Sequence, residues 1–146
     1  MTVLIDADGC PVVDIAVKTC VSHGIRCLIV CDTAHVFEKA GAQTITVSKG
    51  ADSVDFALVN MVQAGDIVIT QDYGLAAMCL ARGAAAVSQD GMVYDSGNMD
   101  ALLDARHTAK KIRMSGGRLR GSAKRGPGQN ARFEARLLEL LGQAGG

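Results

Sequence analysis

Short apolar runs alternate along this chain with longer segments whose apolar residues return at helical spacing. Val3-Leu4-Ile5, Cys27-Leu28-Ile29-Val30, Thr44-Ile45-Thr46-Val47 and Asp66-Ile67-Val68-Ile69-Thr70 read as strands. Ala85-Ala86-Val87 reads as a fifth, short edge strand. From Val12 to His23 the residues Val12, Val13, Ala16, Val17, Cys20 and Val21 form one helical stripe. Pro11 suits the first turn of that helix, where its missing N–H costs nothing, and Gly24 ends it. A second helix is expected over 53–63, with Val54, Leu58, Met61 and Val62 on one face. A third spans 74–82 and is stopped by Gly83. Strands alternating with helices predict βαβ units, hence a three-layer α/β/α fold with a central, mainly parallel, Rossmann-like sheet.

Beyond the fifth strand, Asp90-Gly91 is a turn signal leading into a small hairpin through Met92-Val93-Tyr94. A helix over 98–113 comes next. Residues 115–128 (SGGRLRGSAKRGPG) are rich in Gly and basic side chains, which predicts a flexible segment. The last helix, 129–141, places Phe133, Leu137, Leu140 and Leu141 on one stripe and is expected to dock on the body. No internal repeat interrupts the 146 residues, a length suited to a single domain over 1–146.

Composition narrows the class. Almost half the residues are hydrophobic and none is Trp, so the core is aliphatic. No apolar run reaches the roughly 18–20 residues of a membrane span, and the opening VLI lacks a charged leader region. The five Cys are odd in number, without a CxxC pair or a spaced His pair, which argues against zinc and against a disulfide framework. The expected location is cytoplasmic, with Cys20, Cys27, Cys31 and Cys79 serving as small core residues. The zero net charge conceals a split: residues 1–105 carry −8 and residues 106–146 carry +8. Either the basic part meets nucleic acid, or the two parts neutralise one another across a packed interface.

Ligands of open parallel sheets bind outside the carboxyl ends of the strands. Asp6 and Asp8 follow the first strand, Asp32 the second, Asp52 and Asp55 the third, and Asp72 the fourth. Taken singly, each has a structural explanation: Asp8-Gly9 is a turn, Asp52 and Asp72 can cap helices, and Asp55 sits near a positive helix end. Taken together, they repel one another unless cations neutralise them. Mg²⁺ and Mn²⁺ prefer oxygen ligands and can assist in-line attack on a phosphodiester. The set therefore points to a divalent-metal phosphodiester site at this edge.

An acidic site needs nearby cations to admit a polyanion. Arg106, Lys110, Lys111 and Arg113 recur at near-helical spacing, and Arg118, Arg120, Lys124 and Arg125 follow on the Gly-rich stretch. They are the candidate nucleic-acid contacts, the alternative being a solvated helix face and a loop. Aromatic residues are few, so base stacking falls to Tyr73 beside Asp72. Cys10 lies in the Asp-rich turn but has no evident His partner, and His23, His35 and His107 show no metal spacing.

The motifs DADGCP (Asp6–Pro11), GADSVD (Gly50–Asp55) and GDIVITQDYGLA (Gly65–Ala76) resemble the YaiI/YqxD family of uncharacterised bacterial proteins. The resemblance continues through Arg82-Gly83-Ala84, Gly91 with Tyr94, and Gly126-Pro127 before a Phe-containing helix. That family is placed near PIN-like and NYN-like nucleases, which implies a three-layer, PIN-like α/β fold with a metal-binding acidic cluster whose ligands are Asp6, Asp8, Asp52, Asp55 and Asp72. On that reading Asp6, Asp52 and Asp72 hold Mg²⁺ or Mn²⁺, Asp8 and Asp55 tune the ion or position the attacking water, and the expected partner is nucleic acid, RNA ahead of DNA. The chain departs from the family at Gly74, where Pro is frequent, at Cys31-Asp32, where Ala-Asn is frequent, and at Asn130-Ala131-Arg132, where an Asp-Arg pair is usual. Two other readings compete. One is a non-catalytic RNA-binding module on the same fold. The other is a haloacid-dehalogenase-type phosphatase with Asp6 as nucleophile and Asp8 as general acid. Against the latter stand Cys10 where Thr is expected, Pro11, and the short chain. No membrane partner is expected, and homo-oligomerisation is left open.

Overall fold

In the computed structural model, which describes residues 1–32, 39–48, 50, 53–100 and 125–145, five strands form one parallel sheet. They are β1 (Thr2–Asp6), β2 (Arg26–Asp32), β3 (Gln43–Val47), β4 (Ile67–Ile69) and β5 (Ala85–Val87), in the order β3-β2-β1-β4-β5. The helices are α1 (Val13–Ser22), α2 (Ser53–Met61), α3 (Tyr73–Ala81), a helical segment α4 at 96–100, and α5 (Pro127–Gly145). Every strand expected from the sequence is present.

Both faces of the sheet are covered, and strand residues divide between them by parity. Val3, Ile5, Cys27, Ile29, Cys31, Ile67, Ile69 and Val87 face one way, onto Val13, Ala16, Val17 and Cys20 of α1 and Phe133, Leu137, Leu140 and Leu141 of α5. Leu4, Leu28, Val30 and Val68 face the other way, onto Leu58 of α2 and Leu75 and Cys79 of α3. A smaller cluster of Ala76, Ala86, Tyr94 and Met99 closes the β5 edge. The stripe expected for the last helix is the buried one, and burying each of its large side chains contributes roughly 2 kcal/mol. Cys20, Cys27, Cys31 and Cys79 are core residues with no disulfide. No helix among the described residues is long and apolar enough to cross a membrane.

Four local expectations change. Pro11 lies in the turn before α1, because Val12 takes the N-cap position with no side-chain cap. The hairpin after Asp90-Gly91 reduces to a single antiparallel bridge, Val87 with Val93, held by the Ser88 N–H on the Met92 carbonyl (2.8 Å). The last helix begins two residues early, at Pro127, where proline's fixed φ suits the first turn. Residues 125–128, expected to be flexible, are tied down. Arg125 Nη1 meets Asp90 Oδ1 at 2.7 Å, Nη2 donates to the Gln89 carbonyl at 2.8 Å, and Nε donates to Asn130 Oδ1 at 2.8 Å. The Gly126 N–H donates to Gln129 Oε1 at 2.7 Å. The helix expected over 98–113 is seen only at its start, and the rest lies outside the described residues.

Gly91 is where the turn after β5 meets α5. Its φ is +84°, and a Cβ there would stand 2.7 Å from the Arg132 carbonyl oxygen. Gly24, with φ +66°, has nothing within 4 Å of such a Cβ. Gly24→Ala is therefore expected to cost only the left-handed backbone penalty, about 1–2 kcal/mol. Gly91→Ala should cost clearly more, because the α5 backbone must move as well. Urea unfolding of the two variants against the parent measures the difference.

Candidate functional site

The chain leaves β1 for β2 and β3 on one side, then returns to lay β4 against β1 on the other. The crevice at the carboxyl ends of β1 and β4 is thus the switch point, where open α/β sheets bind ligands. β1 ends in Asp6, and β4 runs on into Thr70, Gln71 and Asp72. The topology alone makes this crevice acidic.

Thr70 organises it. Its Oγ1 donates to Asp6 Oδ2 at 2.7 Å and accepts the Asp72 backbone N–H at 3.0 Å. A hydroxyl has one proton, so with the amide on its lone pair that proton is directed at Asp6. Thr70 itself is held by its N–H on the Val87 carbonyl (3.1 Å) and by the Tyr94 hydroxyl on its own carbonyl (3.0 Å). Asp72 caps α3, its Oδ1 accepting from the Leu75 N–H at 3.0 Å. Asp8, in the turn after β1, accepts the Asp32 N–H on Oδ2 at 3.2 Å, tying that turn to the end of β2.

These carboxylates border three hollows that share lining residues. Asp6 and Asp8 line a cavity of about 70 Å³ with Cys10, Thr70, Gln71 and Gln89. Asp6 and Asp72 line a wider opening of about 460 Å³ with Gln71 and Tyr73. Asp72 also borders a groove of about 220 Å³ with Asp55 of α2.

Burial pushes the Asp6 carboxyl above its usual range, the Thr70 hydroxyl pulls it back, and the charges of Asp72 and Asp8 raise it again. Burial also raises the Cys10 thiol; its hydrogen bond from the Val12 backbone lowers it, Asp6 raises it, and Arg125 lowers it. The net rise keeps Cys10 protonated near neutrality, which makes it a poor nucleophile.

The sequence comparisons decide the family. A model of the family described as "Uncharacterized BCR, YaiI/YqxD family" matches residues 4–143. This chain belongs to the YaiI/YqxD family. It is 51% identical to a UPF0178 protein of Exiguobacterium sibiricum over 97% of this chain and 96% of that protein. It is 47% identical to a UPF0178 protein of Ruminiclostridium cellulolyticum over 97% of this chain and 92% of its relative. Among solved structures, Rae1 (YacP) from Bacillus subtilis, a W164L mutant, aligns over 78% of this chain and 82% of its own. The identity there is 14% and the TM-score 0.45.

Within this YaiI/YqxD chain, the site residues read from sequence separate into three groups. Asp6, Asp8 and Asp72 meet around the crevice, and Asp55 reaches it through the groove it shares with Asp72. Asp52 lies outside the described residues, as do Lys110, Lys111, Arg113, Arg118, Arg120 and Lys124. Arg125 has its guanidinium on Gln89, Asp90 and Asn130, which straps α5 to the β5 turn. Among the described residues, no group of three or more His, Cys, Asp or Glu converges closely enough to hold a metal ion. Asp6 and Asp72 remain as a pair of oxygen donors bordering one opening.

Thr70, Gln71 and Gln89 also line the crevice, and none carries a charge that would mark it in the sequence. Thr70 is the last residue of the strand expected over Asp66–Thr70. Its place one residue beyond β4, level with Asp6 beyond Ile5, was the available signal.

Asp6→Asn keeps an acceptor for Thr70 while removing the charge. Because the folded-state pKa is raised, ionisation of Asp6 destabilises the fold as pH rises from 3.8 through that raised value. The variant is therefore expected to be more stable than the parent above this window and equal to it below pH 3.8. Denaturant melts across pH check the sign; equal stability at neutral pH would contradict the stated electrostatics.

Proposed function

We propose that this chain is a Mg²⁺- or Mn²⁺-dependent ribonuclease with a PIN-like acidic site. One observation carries the reading: Asp6 and Asp72 are joined through the Thr70 hydroxyl at the switch-point crevice, and the charges acting on Asp6 are those of other carboxylates. Such a site lowers its own repulsion by taking up a cation.

The donor chemistry fits a hard divalent ion, since Mg²⁺ is commonly held by one or two carboxylates, with waters and substrate phosphate completing the shell. Asp6 and Asp72, with Asp52, would be the protein ligands. A bound ion there supplies charge to the phosphodiester and lowers the pKa of a water.

The chain's own residues do the remaining work. Thr70 holds Asp6 in one orientation and favours its ionised form. The Leu75 amide fixes one oxygen of Asp72. Asp8, on the more enclosed side of Asp6, positions the attacking water or accepts its proton. Asp55 contributes negative charge across the Asp72 groove. Lys110, Lys111, Arg113, Arg118, Arg120 and Lys124 are the residues proposed to grip the RNA backbone, and Arg125 serves them through the fold.

The test is Mn²⁺-dependent cleavage of labelled single-stranded RNA, run beside p-nitrophenyl phosphate. Asp72→Asn retains a helix cap and is expected to lose at least about 100-fold in RNA cleavage, the scale of removing one group that stabilises transition-state charge. Turnover of the small phosphate alone would instead establish a phosphatase. RNA binding without cleavage would establish a binding module. Cleavage undiminished in Asp72→Asn would refute the site.

A further inference from the structure

Phe56 is 62% exposed in a chain with only five aromatic residues. Tyr94 and Phe133 are in the core, so the aromatic content is not simply distributed over the surface. Single exposed apolar residues are ordinary; the position of this one is not. Phe56 follows Asp55 in the first turn of α2, and with Met78 of α3, itself 40% exposed, it lines the groove of about 220 Å³ that Asp72 borders. Asp72 also borders the wider opening lined by Asp6 and Tyr73. The Tyr73 ring is braced edge-on by Tyr94, with centroids 6.1 Å apart at 61°. One carboxylate of the site thus borders two hollows, each carrying an aromatic ring.

From this arrangement we infer that Phe56 and Tyr73 are stacking platforms for two unpaired nucleobases, one on each side of the phosphate at Asp72. Met78 packs against the base on Phe56. The physical case follows from the charges. Carboxylates repel a polyanion, so beside the cations that hold its phosphates a strand crossing them gains from contacts that do not involve phosphate. Nucleobases provide them, because every base has a π-face and stacks on an aromatic ring with little regard to sequence. A duplex hides those faces, so the same device selects single strands. Gly74 lines the same groove. The inference rests on the nuclease reading for the phosphate but concerns binding, so the two can fail separately.

The chain has no Trp, which makes Phe56→Trp a clean reporter. The probe is a phosphorothioate-linked single-stranded RNA, alongside the same strand with abasic positions. Phe56→Trp is expected to bind as the parent does, with its fluorescence quenched as RNA is added. Phe56→Ala, at a site too exposed to disturb the fold, should bind on the order of ten-fold more weakly. On cleavable RNA it should raise KM with kcat retained, and its preference for the intact over the abasic strand should shrink to the part that Tyr73 supplies. Quenching with no cleavage by the parent would sink the nuclease reading and leave the stacking site standing. Unchanged affinity in Phe56→Ala, or bound RNA that leaves the Phe56→Trp emission untouched, would overturn the stacking site while the nuclease reading survives. A parent dimer that Phe56→Ala disperses, with RNA affinity unaltered, would likewise overturn it and assign the patch to self-association. RNA that does not bind at all would remove both.

Discussion

The register in which β1 lies against β4 governs the chemistry of this molecule. Val3, Leu4 and Ile5 stand opposite Ile67, Val68 and Ile69, so the next residues in line are Asp6 and Thr70. Their hydrogen bond continues the ladder in side-chain form. At the amino end, the buried Asp66 pins the same register. Its Oδ1 accepts the Thr2 N–H and its Oδ2 the Gln63 N–H, both at 2.9 Å. A slip of one residue would send Thr70 to the opposite face and leave Asp6 without its donor.

Parity gives the two faces of the sheet different tasks. Asp6 and Thr70 continue the alternation of Leu4 and Val68, so they belong with the α2 and α3 side, from which Asp55 and Asp72 also come. The opposite face, with Val3 and Ile5, is covered by α1 and α5. The C-terminal helix therefore stabilises the sheet from the side away from the carboxylates. Arg125 and Gly91 fasten it to the turn after β5, whose Gln89 N–H in turn reaches Gln71 at the rim of the crevice (2.9 Å). Apolar burial on both faces offsets the cost of holding acidic groups together at one edge.

Much of this was legible along the chain. The five strands, the helices between them and the buried stripe of Phe133, Leu137, Leu140 and Leu141 follow from periodicity, which depends only on residues near in sequence. The carboxylates at the strand ends were visible because a parallel sheet presents all its carboxyl ends on one edge. The role of Arg125 was hidden, because a basic residue in a Gly-rich stretch looks the same whether it faces solvent or clamps Asp90, 35 residues away. Phe56 was hidden as well, since its exposure depends on how α2 and α3 pack side by side.

The sequence by itself determined which segments are strands and helices, which residues are apolar enough to form the core, and that acidic side chains close several strands. Only the tertiary structure decided that β1 lies between β2 and β4, that Asp6 meets Thr70, and that Asp72 shares one hollow with Tyr73 and another with Phe56. The reason is physical. Strand and helix patterns are set by the local repeat of the backbone, whereas strand order and register come from burying two faces of one sheet at once. That is a property of the whole chain, and the site at the switch point inherits it.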